Sequence, residues 1–261
     1  MSHFQNKITY LSKPGVVIMG DDWFDVARPD HFWVRRRFEV FRQLIRKLGL
    51  NLSNLKIAEI GCGHGLVQHQ FSKYYGINID GFDLNEVALK KSIHGQNLFL
   101  YDIHEKKPEY RNFYDLIVLF DVIEHIDDQS KFIEAVLYHL KKDGILAINF
   151  PALELLYSDY DLAQGHFRRY NTNSIGFLER DFNCEKIAMT YWGMPLLPLL
   201  MLRKFVLSFT NTKKQAISSG FKPPSKLANY LLHKLSRVES IPQLISGTSL
   251  MVIYQHNLRE K

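Results

Sequence analysis

The 261 residues include 46% hydrophobic and 23% charged side chains, which excludes wholesale disorder and suits one large α/β domain, or a smaller one with an embellishment. Two cysteines, Cys62 and Cys184, lie far apart with no CxxC pair. A disulfide framework and a cysteine-based zinc site are therefore not expected, and a reducing cytoplasmic setting fits. The net charge of +6 is localised: Met201 to Glu239 holds eight Lys/Arg and one acid, so that stretch carries +7 and the remainder −1. A basic stretch beside an apolar one points to a partner surface, whereas nucleic-acid binding would want charge spread along a groove.

In chain order, residues 1–30 read as irregular, rich in aromatic and acidic side chains (Tyr10, Asp21, Asp22, Trp23, Phe24, Asp25), without the apolar core of a secretory signal. A helix is predicted after Pro29 and Asp30. Val34, Phe38, Phe41, Ile45 and Leu48 recur at spacings of four and three, and Gly49 closes the run. Short apolar runs then alternate with helical patterns. Strands are expected at Leu55–Ile60, Ile77–Phe82, Leu98–Tyr101, Leu116–Phe120 and Ile145–Phe150, and helices near Leu66–Tyr75, Asn85–Ser92 and Asp128–Lys142, with Gly76 and Gly144 as stops. Apolar strands alternating with helices indicate a parallel sheet covered on both faces. Two more strands are expected at Cys184–Tyr191 and Thr248–Tyr254. Residues 194–246 between them read as a helical insertion, with Pro223 and Pro224 before a helix over Ser225–Val238. The 16 uncharged residues from Ile187 to Leu202 are interrupted by Gly193, Pro195 and Pro198, so no membrane span is expected.

The stretch Glu59-Ile60-Gly61-Cys62-Gly63-His64-Gly65 runs from a strand through three alternating glycines into a helix. Glycines there permit a sharp turn and close approach of a ligand at the carboxyl edge of the sheet. A dinucleotide fingerprint would need glycine where Leu66 stands. The pattern E-x-G-x-G-x-G instead resembles the first motif of class I S-adenosylmethionine-dependent methyltransferases. Asp83 ends the second strand, Asp102 the third, and the fourth runs into Asp121-Val122-Ile123-Glu124-His125, which resembles the family's D-x-(I/L)-E-H run. Further similarity, to a bacterial methyltransferase-like subgroup, lies in Trp23-Phe24, His31-Phe32-Trp33 with Arg37, the run from Asp161 to Gly165-His166-Phe167-Arg168-Arg169-Tyr170, Pro223-Pro224 with a following helix to Glu239, and Gly247-Thr248-Ser249-Leu250.

The resemblance implies a Rossmann-like, seven-stranded mixed sheet, with the last strand antiparallel between the fifth and sixth. It divides the chain into an N-terminal lid and helix (1–50), a core (51–193 and 247–261) and an insertion or cap (194–246). S-adenosyl-L-methionine is the implied cofactor, held by Arg37 (carboxylate), Glu59, Gly61, Cys62, Gly63, Gly65, Asp83 (ribose), Leu84, Asp102 (adenine), Ile103, Phe120 and Asp121. The reaction is an in-line displacement onto a small-molecule, glycan or lipid-linked acceptor, in which the enzyme mainly positions the reactants. A base is needed only where the acceptor must lose a proton. His166 is the first choice and His125 the second, with Asp161 orienting a histidine or binding the acceptor. Tyr157, Arg169 and Tyr170 line the expected acceptor wall; Arg169 would suit an anionic group, and Trp33 is either core or lid. No metal is expected, because neighbours such as Glu124 and His125 on one turn do not converge on an ion. An inactive cofactor-binding or scaffold protein is the alternative. The acceptor, the atom methylated and the oligomeric state stay open, as does peripheral membrane contact through 194–240.

Overall fold

A computed structural model describes residues 7–15, 27–94, 96–209 and 225–257. Asp21, Asp22, Trp23, Phe24, Asp25 and Pro223-Pro224 lie outside these described residues. Eight strands form one sheet: β1 (Ile8–Tyr10), β2 (Ile57–Ile60), β3 (Asp80–Asp83), β4 (Leu98–Leu100), β5 (Tyr114–Phe120), β6 (Leu140–Pro151), β7 (Cys184–Trp192) and β8 (Ser249–His256). Their order is β1-β4-β3-β2-β5-β6-β8-β7. Strands β1 to β6 pair in parallel, and β8 lies antiparallel between β6 and β7, as expected of the final strand.

Two expectations are corrected. The sheet has an eighth strand, because Ile8–Tyr10 adds to the edge beside β4; three residues, two of them exposed, show no periodicity to read. Gly144 is not a helix stop, since the helix ends at His139 and Gly144 sits inside β6.

The helices are α1 (Phe32–Lys47), α2 (Leu66–Tyr75), α3 (Glu86–Lys90), α4 (Gln129–His139), α5 (Asp159–Ala163), α6 (Phe177–Phe182), α7 (Leu197–Phe209) and α8 (Lys226–Leu235). Alternation along β5 sends Leu116, Val118 and Phe120 to one face of the sheet and Ile117 and Leu119 to the other. The first set packs with Phe38, Phe41, Leu44 and Ile45 of α1 and with Val67 and Phe71 of α2. The second packs with Phe132, Ile133 and Val136 of α4 and Leu178 of α6. A sheet sealed on both faces leaves its carboxyl edge as the open crevice. Among the described residues no helix is long and apolar enough to cross a membrane.

Candidate active site

The glycine loop follows β2 at that edge. Gly61 (φ +76°), Gly63 (φ +54°) and Gly65 (φ +81°) all adopt left-handed conformations. At Gly61 a Cβ would stand 2.6 Å from Val122 Cγ2, so both conformation and space demand glycine. The N–H groups of Gly61 and Cys62 both donate to the Phe82 carbonyl, which ties the turn to β3.

Asp83 fastens the loop from the other side. Its Oδ2 accepts from Gly63 N at 2.6 Å and its Oδ1 from Asn85 N at 2.8 Å. Burial raises its carboxyl pKa, against the pull of those N–H groups. Leu84 packs against Gly15, whose N–H donates to the Leu84 carbonyl. Cys62 is buried in a small cluster with Leu89, Leu98 and Leu100, and burial pushes its thiol well up. At the end of β4, Asp102 pairs with His104 at 2.8 Å, and its own N–H donates to Ser12 Oγ. Ile103 is buried in the core below it.

Glu59 lies within the electrostatic reach of Arg37. Glu59 is buried and its Oε2 has no partner; burial drives its carboxyl pKa well up, opposed by the charge of Arg37. Arg37 reaches from α1 over the ring of Phe120 and pairs with Asp121 at 2.6 Å, leaving its buried Nε without a partner. Asp121 has a left-handed φ of +58°, and its Oδ1 also accepts from Asn149 Nδ2. Asn149 Oδ1 in turn accepts from Trp192 Nε1. Unsatisfied buried polar atoms beside an open glycine loop fit a polar ligand that would complete them.

The second half of the site is the loop after β6. Asp161 is fully buried; its Oδ1 meets His166 Nδ1 at 3.1 Å and Arg169 Nε at 2.9 Å. Burial alone would raise its pKa, but His166 and Arg169 hold it below the usual carboxylate value. An ionised Asp161 fixes the Nδ1–H tautomer of His166 and leaves Nε2 as the basic nitrogen. The ring of His166 lies edge-on to that of His125, centroids 4.7 Å apart. Burial, then the neighbouring His166, depress His125 to about 4, so it is neutral near pH 7. Phe167 N donates to the Glu124 carbonyl, stitching this loop to the turn after β5.

The sequence reading needs three corrections here. Tyr170 is buried against Phe150, with its hydroxyl donating to the Ile123 carbonyl, so it supports the loop from inside and does not face an acceptor. Arg169 is committed to Asp161 and the Ala152 carbonyl, so it does not wait for an anionic acceptor. Metal-ligating atoms also converge, against expectation: Glu124, His125 and His166 each offer one, all within 4.8 Å of one another. The third donor comes from the other loop, which is why one turn's geometry misleads. Trp33 lies tilted at 42° against the buried Trp192, centroids 4.4 Å apart, covering core, and Tyr157 donates to the His166 carbonyl. Asn149, expected at the start of the acceptor wall, instead links Asp121 to Trp192; sequence reading missed Ser12 and Trp192, whose partners lie far along the chain, and no local signal marks them.

Residues 33–188 match the family described as "Methyltransferase domain". The Rickettsia typhi protein named "Ubiquinone biosynthesis O-methyltransferase" is 28% identical over 118 residues, 41% of this chain and 46% of that protein. The Hydrogenovibrio crunogenus protein of the same name is 24% identical over 152 residues, 56% of this chain and 61% of that protein. The chain spans about half the length of the curated relatives it matches. Haemonchus contortus phosphoethanolamine N-methyltransferase 2, solved with S-adenosyl-L-methionine, superposes with TM-score 0.56 at 17% identity, over 84% of this chain and 52% of that one. A SAM-dependent methyltransferase from Archaeoglobus fulgidus gives 0.51 at 16%, over 84% and 94%. With the glycine loop, the strand-end acids and the antiparallel last strand in place, the chain belongs to the methyltransferase domain family, in the class I S-adenosylmethionine-dependent superfamily.

Proposed function

We propose that this methyltransferase acts on a hydroxyl group of a small or lipid-linked acceptor, with His166 taking the proton. The observation that carries the reading is the His166–Asp161 pair, at 3.1 Å on a fully buried carboxylate. A neutral amine acceptor needs no base, whereas a hydroxyl becomes a good nucleophile only as it loses its proton. An ionised Asp161 both orients the imidazole and stabilises the charge that His166 gains. The O-methyltransferase names of the curated relatives support the same reading.

Bound S-adenosylmethionine would supply a methyl group already activated by its sulfonium. Asp83 would accept the ribose hydroxyls and Asp102 would face the adenine. Glu59, Arg37 and Asp121 would take the amino-acid end, where Glu59 Oε2 and Arg37 Nε lack partners. Ser12 and Gly15, held on Asp102 and Leu84, would form the inner part of an N-terminal lid. Asp83→Ala is expected to weaken S-adenosylmethionine binding by about 1–3 kcal/mol, the usual cost of stripping partners from buried polar groups. Calorimetric titration checks it, and unchanged affinity would refute the ribose assignment.

A second reading rests on one specific observation. Glu124 Oε2 and His125 Nδ1 are buried without partners, inside the cluster that His166 completes. A divalent cation there would lower the acceptor's pKa in place of a free imidazole. One assay addresses both readings: transfer of labelled methyl to matched hydroxyl and amine acceptors, with chelator and with added divalent cations. Labelled ethers formed in chelator support the histidine base. Ethers formed only with added cation support the metal, and label found only in amines refutes both.

A further inference from the structure

Helix α8 is amphipathic in the unexpected sense. Apart from the exposed Lys226 and Lys234, its polar residues face the protein: Asn229 accepts from Phe32 N and donates to the Asp30 carbonyl, His233 meets Glu39 at 3.1 Å, and Ser236, just past its end, is buried. Its outer face carries Tyr230, Leu231 and Leu227, the last 67% exposed, continued by Val238 at 76%. The connection to β8 adds Leu244 and Ile245, the latter 82% exposed. Helix α7 contributes exposed Leu199, Met201 and Leu202, and its Lys204 donates to the Leu155 carbonyl in the acceptor loop. That loop itself exposes Leu155, Leu162 and Phe167. Scattered exposed apolar residues are ordinary, but a contiguous set marks an interaction site.

Charge identifies the occupant. The only acid in 201–239 is Glu239, and it is withdrawn from the surface, with its side chain fully buried on Arg36 at 3.2 Å. By sequence the segment holds eight basic residues; among the described residues Lys226, Lys234 and Arg237 are exposed, and its one acid does not face outward. A second copy of the chain would bring the same positive charge to the contact, which opposes self-association. Apolar side chains among lysines and arginines match acyl chains beneath anionic headgroups.

We infer that α7, α8 and the 240–246 connection dock on an anionic lipid bilayer, bringing the apolar rim of the acceptor loop against the membrane so that a lipid-linked hydroxyl reaches His166. The docking rests on the proposed function only for its acceptor. The rim is placed at the bilayer by the Lys204–Leu155 bond between α7 and the acceptor loop.

Flotation of the full chain tests it, using phosphatidylglycerol-containing and pure phosphatidylcholine vesicles at low and high salt. Binding is expected on the anionic vesicles, weak on the neutral ones and reduced by salt. Lys226→Gln with Lys234→Gln should lower the partition coefficient about 30-fold, as two surface cations are worth at the membrane. Leu227→Glu with Leu231→Glu should abolish it, while leaving transfer to a water-soluble acceptor unchanged. Protein that stays in the soluble fraction, or that floats equally in both variants or with neutral vesicles, overturns the inference. Flotation requires no turnover, so docking without hydroxyl methylation would refute only the proposed acceptor. Methylation of a soluble hydroxyl without flotation would refute only the docking.

Discussion

His166→Ala is expected to lower methyl transfer to a hydroxyl acceptor by about 10²–10⁴-fold, the range that a positioned general base contributes. Affinity for S-adenosylmethionine should not change, because none of the groups in contact with His166 belongs to the glycine-loop half of the site. Asp161 contacts His166 and would act through it, so Asp161→Asn should lower kcat, with less change in KM. Steady-state kcat and KM of the three proteins decide the matter. Wild-type turnover in His166→Ala, with chelator present, would sink the base assignment and leave His125 or no base.

The largest expected effect on stability is at Glu239. Its carboxylate accepts from Gly193 N at 2.7 Å and Met194 N at 2.9 Å, and pairs with the buried guanidinium of Arg36. Removing one partner of a buried ion pair strands the other, at a cost of about 3–5 kcal/mol. Glu39 lies 3.9 Å from Arg36 and does not replace it. Glu239→Ala should thus lower the unfolding free energy by about that amount and Tm by roughly 10 °C. Glu239→Gln keeps an acceptor for the two N–H groups and should lose less. Thermal and denaturant unfolding of both variants test this, and a shift in Glu239→Ala within the scatter of exposed-surface substitutions would show that the pair holds nothing together.

Much of the cofactor half was legible because its signals are local. Glycine at 61, 63 and 65 answers to left-handed φ values and a tight turn, both fixed within a few residues. Asp83, Asp102 and Asp121 stand at strand ends, and strand ends follow from apolar runs of period two or of continuous burial. The place of the last strand came from the family resemblance and holds, since β8 lies antiparallel between β6 and β7. The edge strand β1 escaped because three residues carry no period.

The acceptor half depended on contacts that no spacing encodes. Asp161 was singled out with two possible roles, and only its burial against both His166 and Arg169 decides between them and takes Arg169 out of the acceptor wall. Glu124 and His125 gain His166 from a loop 41 residues further on, so a turn that cannot close on a cation alone becomes three converging donors. Arg36 and Glu239 are 203 residues apart. Helix α8 shows the reason most directly. Amphipathic spacing fixes that a helix has an apolar and a polar face, but only the neighbour decides which face turns inward, and here the hydrogen bonds offered by α1 hold the polar one.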